Sequence, residues 1–115
     1  MAGTHLVGTN GSIDLTLDGL TFRRTTSAAA SRGVARRHEV VWARVDRASI
    51  VSSGKGKPVV EIHVVGAPPV ESRRHDPHAV KVKRGTLEEA RVFVDEVNSE
   101  VATRRRWDAA NAVDA

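Results

Sequence analysis

The side chains best suited to chemistry are histidines and arginines, because the chain contains no cysteine. His75-Asp76-Pro77-His78 offers two imidazoles and a carboxylate, with His63 and Glu71 as further donors, a set able to hold a divalent cation. The spacing falls on a proline turn rather than on one face of a helix, and no thiolate supports it. Two solvent-exposed loop histidines are the simpler reading, and neither a metal nor another cofactor is expected. Gly54-Lys55-Gly56-Lys57 looks like a phosphate nest, yet no helix follows to supply its N-terminal amides. A hairpin turn carrying solubilising lysines explains it better. No G-x-S-x-G elbow, P-loop or dinucleotide fingerprint occurs, so the chain reads as a non-enzyme.

The arginines are the stronger candidates. Arg23 and Arg24 close one strand-like run, and Arg32, Arg36 and Arg37 follow in a small, polar, glycine-containing stretch that reads as a mobile basic loop. A guanidinium suits phosphate because its planar fork binds two oxygens at once. This loop is therefore the candidate anion- or partner-binding site, against the plain alternative of a solvated loop. Lys81, Lys83 and Arg84 form a second basic stripe, which also suits an edge strand protected against aggregation. The formal net charge of +4 and a pI near 10.3 favour acidic partners, whether nucleic acid, anionic membrane surface or protein.

Those side chains must be carried by strands. Ser12 to Asp18 alternates, with Ile13, Leu15 and Leu17 on one face. Asp18-Gly19 has the composition of a two-residue type I′ turn, and Leu20 to Thr25 is the return strand. His38 to Arg44, Val45 to Val51, Val59 to Val65 and Ala79 to Arg84 read as further strands, with a short leading strand near His5 and an edge strand near 70–74. Trp42 is a core or rim anchor. Val60, Ile62 and Val64 share one face, as do Val80 and Val82. No helix-length connection separates the strands, so parallel βαβ units are excluded.

The one strongly helical stretch is Thr86 to Arg106. Thr86 and Glu89 have capping-box spacing, with Glu88 and Glu89 in the first turn. Leu87, Ala90, Phe93, Val94, Val97 and Val101 fall on one side at helical spacing, Val92 being the exception. Arg91–Asp95 and Glu100–Arg104 are spaced for ion pairs. Arg104 enters the apolar arc, so packing is expected to end there. Residues 107–115 read as a frayed tail from which Trp107 could pack back.

This order of elements resembles a pleckstrin-homology-like (PH-like) domain. GTNGSIDLTLDGLTF, EVVWARVDRASI, VVEIHVVG and HAVKVKRGTLEEARVFVDEV are similar to a bacterial PH-like family of unknown function, one often followed by a short C-terminal domain. The resemblance implies an α+β, mainly β fold, namely a partly open antiparallel barrel of about seven strands capped by one C-terminal helix. Residues 1–106 would form the domain, with helix 86–106, and 107–115 the tail. It implies a binding platform rather than a catalyst: a module that binds a protein partner or self-assembles. The alternatives are electrostatic binding of nucleic acid and binding of anionic phospholipid headgroups through loop 23–37. With no signal-peptide pattern at the N-terminus and no apolar run long enough to span a bilayer, a cytoplasmic location is expected.

Overall fold

The computed structural model describes residues 4–9, 11–24, 36–52, 57–66 and 78–113. Among them are seven strands: β1 His5–Val7, β2 Gly11–Leu15, β3 Gly19–Arg24, β4 Arg37–Val41, β5 Val45–Ser52, β6 Pro58–Val64 and β7 Ala79–Lys81. One long helix, α1, runs from Leu87 to Val113. The expected α+β, mainly β composition is observed. The seven strands form two antiparallel sheets, β1-β2-β3-β4 and β5-β6-β7, with no closed barrel among the described residues. The proposed edge strand at 70–74, all but the last residue of the basic loop expected over 26–36, and residues 53–56 of the turn expected over 52–57 lie outside the described residues.

The alternating apolar residues explain the layers. Ile13, Leu20, Phe22 and Val40 from the first sheet and Val60, Ile62 and Val80 from the second are buried together in one core. Cross-strand register matches this pattern: Ile13 pairs with Phe22, and Val60 with Val80. The strand expected from His38 to Arg44 stops at Val41, where a short 3-10 turn, Trp42–Arg44, takes over. The Val45 N–H closes that turn onto the Trp42 carbonyl and swings the chain into the second sheet. At the opposite seam the Thr9 N–H donates to the Lys81 carbonyl at 2.8 Å. Gly8 permits this approach, because a Cβ there would collide with the Val80 side chain and the Lys81 carbonyl.

The β2–β3 hairpin departs from its sequence reading. Leu15 pairs with Leu20, so residues 16–19 form the loop, and no described non-glycine residue has positive φ. A two-residue type I′ turn at Asp18-Gly19 is therefore not formed. Thr16 organises the loop instead. Its Oγ1 accepts from the Asp18 and Gly19 N–H groups at 3.3 and 3.2 Å. Leu17, expected on the inner face, is 85% exposed because β2 has already ended.

In α1 the apolar stripe is as expected. Ala90, Phe93, Val94, Val97 and Val101 are buried, and Val92 is exposed. Three local expectations give way to better partners. Thr86 ends a 3-10 turn, Arg84–Thr86, and its hydroxyl donates to the Lys83 carbonyl at 2.8 Å instead of capping the helix. Arg91 pairs with Glu88 rather than with Asp95, while Glu100–Arg104 forms at 2.8 Å. The helix also continues beyond Arg106 to Val113, in place of a tail beginning at Trp107.

Packing alone would let the helix slide along the sheet; a polar clamp fixes its register. The Ala48 N–H donates to Asn98 Oδ1 at 2.8 Å, and Asn98 Nδ2 donates to the Ala48 carbonyl at 3.0 Å. β5 is an edge of its sheet, so Asn98 supplies the pairing that a neighbouring strand would otherwise give. An Asn98→Ala substitution leaves both backbone groups without this partner. It is expected to destabilise the fold by about 1–3 kcal/mol, read by urea denaturation. Val92→Ala on the wet face should shift stability by no more than about 0.5 kcal/mol.

Candidate functional site: a tryptophan–arginine cleft

The helix outruns the core. Val101 is the last buried residue of α1 among the described side chains, and the turns beyond it rise beside the Trp42–Arg44 corner. Between them lies a cleft of about 640 Å³ lined by Trp42, Val45, Val101, Arg104, Arg105 and Trp107, with Ala43, Asp108 and Ala110 among its other walls. The two tryptophans differ: Trp42 is 6% exposed, whereas Trp107 is 69% exposed. Trp107 is thus a large apolar side chain held on a regular helix and left largely in water.

Two of the cleft's residues, Trp42 and Arg104, are anchored to the β2–β3 loop, which offers three successive carbonyls. Trp42 Nε1 donates to the Thr16 carbonyl at 3.1 Å, Arg104 Nη2 to Leu17 at 2.9 Å, and the Trp42 backbone N–H to Asp18 at 3.2 Å. Arg104 also lies over the Trp42 ring, 5.4 Å from its centroid, in cation–π geometry. Arg104 therefore enters the apolar arc, as its position implied, and turns the end of the stripe into a cationic rim. Arg105 pairs with Asp46 Oδ1 at 2.7 Å across to β5. Arg106 donates only to the Thr103 hydroxyl, at 3.4 Å, and has no ion pair among the described residues.

The arginines singled out from sequence are dispersed. Arg23 and Arg37 are cross-strand neighbours, both exposed, and each faces a carboxylate: Arg23 with Asp14 at 3.3 Å and Arg37 with Glu39 at 2.7 Å. They line a second cleft, of about 390 Å³, together with Asp14, Asp18 and Glu39. Arg36 is exposed, its carbonyl accepting the Arg24 N–H. Arg24 points to the other side of the sheet and is 6% exposed, its guanidinium donating to the Ala79 carbonyl at 2.6 Å. It ties the two sheets together. Arg32 lies outside the described residues. In the second stripe Lys81 is half-buried on β7 and Lys83 is exposed, while the Arg84 side chain is outside the description.

The histidines pair off. His5 meets Asp14 on the outer face of the first sheet. Ser49 Oγ and His63 Nε2 lie 2.9 Å apart on neighbouring strands, a contact their sequence separation concealed, and neither residue lines either cleft. His78, expected to be exposed in a loop, is 9% exposed. Its Nε2 lies 3.0 Å from His38 Nε2, and its ring packs edge-on to Phe22. Residues 75–77 lie outside the described residues, and the described ones contain no group of three or more metal-ligating side chains. No described helix is long and apolar enough to cross a membrane.

Comparison with protein families, with characterised proteins and with solved structures finds no match for this chain.

The Asp46 carboxyl titrates below its ordinary range, first because Arg105 donates a hydrogen bond to it; desolvation opposes this, and the charges of Arg105, Arg47 and His63 add to the lowering. Because the folded-state value is depressed, this pair favours the folded state above the carboxylate range and loses that effect as pH falls through it. Arg105→Ala is expected to raise the Asp46 midpoint toward the usual aspartate value in an NMR side-chain titration, with global stability nearly unchanged because the pair is exposed.

Proposed function

We propose that the chain is a non-catalytic, PH-like interaction module that binds a protein partner, with the Trp42–Trp107 cleft as its contact surface. The observation that carries this reading is Trp107, 69% exposed on a helix that runs past the core and bordering a cleft rimmed by arginines. Tryptophan and arginine are the residues most enriched among those that dominate protein–protein binding energies. The succession of a four-stranded sheet, a three-stranded sheet and a closing helix supports the PH-like assignment. Binding through the arginines near 23–37 is less favoured, because Arg23 and Arg37 already face carboxylates and Arg24 is buried.

The test compares wild type with Trp107→Ala in affinity capture from nuclease-treated lysate, with light scattering of each protein alone. At least one protein retained by the wild type should be lost by the variant, with equal melting temperatures. Identical retained sets, or retention abolished by the nuclease step, would contradict the proposal. A wild-type oligomer that becomes monomeric in the variant would assign the cleft to self-assembly.

A further inference from the structure

The chemistry of the cleft specifies more than a generic partner. Its apolar walls are Trp42, Val45, Val101 and Trp107, beside Thr103, Arg104, Arg105, Arg106 and Asp108, and its volume of about 640 Å³ is in the range that accepts a bulky side chain with its neighbours. Its surroundings are cationic. The segments 42–47 and 100–108 that form it carry five arginines, Arg44, Arg47, Arg104, Arg105 and Arg106, against three carboxylates, Asp46, Glu100 and Asp108. Arg44, Arg47 and Arg106 are exposed, and none has an ion pair among the described residues. The Arg105–Asp46 pair is exposed on both sides, 60% and 46% by side chain, so exchanging Asp46 for an incoming carboxylate costs little.

Resting on the interaction-module reading, we infer that the cleft's partner is an acidic peptide segment that packs one large apolar side chain against Trp107 in this cleft while its carboxylates meet Arg105 and Arg106. Charge complementarity and the apolar walls select this occupant together; neither feature alone would. A single-stranded nucleic acid fits less well, because such sites stack successive bases on several aromatic rings, and Trp107 is the one exposed aromatic ring among the described Phe and Trp residues. An anionic membrane surface would meet a concave site where a protruding one is needed.

The experiment is selection from a random twelve-residue peptide display library on the full chain. Fluorescence anisotropy of a dye-labelled selected peptide follows, against wild type, Trp107→Ala and Arg106→Glu. Selected peptides are expected to be rich in aspartate and glutamate around one aromatic or long aliphatic residue. Affinity should fall at least tenfold for each variant and weaken as salt rises. Both substituted side chains are exposed, so thermal melts should match the wild type. The inference is overturned if no peptide is enriched, if enriched peptides lack acidic residues, or if both variants bind as well as wild type. It is equally overturned if an unlabelled oligonucleotide competes more effectively than the peptide. Peptide selection that fails while Trp107-dependent capture persists removes the acidic-segment inference and leaves the interaction module standing. Failure of both removes both.

Discussion

The two hydrogen bonds between Asn98 and the backbone of Ala48 set the position of everything beyond the sheets. Apolar contacts are non-directional, so the stripe Ala90, Phe93, Val97 and Val101 could bury nearly as well one turn along the same surface. A side-chain amide that must meet one N–H and one C=O of one residue permits a single register. With Asn98 over Ala48, Val101 reaches the core edge, Arg104 meets the Leu17 carbonyl and the Trp42 ring, and Arg105 meets Asp46. Each later contact is a consequence of that register. The same bonds cover an edge of the second sheet that would otherwise be open to pairing with another chain.

Much of the fold is legible in the residues because its signals are local. Period-two alternation marked β2 and β6, and the helical spacing of Ala90 to Val101 marked the buried face of α1, with Val92 standing out as the residue that faces water; the strand expected over Ala79 to Arg84 ends at Lys81, with Ala79 and Val80 both buried. What could not be read depends on partners distant in sequence. Asp18-Gly19 has turn composition, but the Thr16 hydroxyl and the carbonyl contacts from Trp42 and Arg104 decide the loop's shape. Thr86 has a capping-box spacing, yet its hydroxyl donates to the Lys83 carbonyl. Helix α1 runs past its stripe because arginines that would frustrate an apolar face bond to the β2–β3 loop and to β5.

The candidate site shows the same division. Sequence pointed to arginines, and an arginine-rimmed cleft is present, but it is not formed by those near 23–37. Arg24 is drawn inward to a backbone carbonyl, and Arg23 and Arg37 are balanced by Asp14 and Glu39. The net charge of +4 therefore overstates how much free positive surface the first sheet offers. The Trp42–Trp107 cleft was hidden because its walls come from residues about sixty positions apart, joined only through the helix register. The one available signal was a tryptophan immediately following three arginines.

Amide hydrogen exchange at Ala48 tests this dependence most directly. Ala48 lies on an edge strand, and an amide there without a fixed partner exchanges through small local openings. A helix clamped by Asn98 requires Ala48 to exchange about as slowly as Val60 in the central strand of the same sheet. Exchange at Ala48 as fast as in the exposed turns would mean that the helix is not held in register on β5, and that the cleft has no fixed wall.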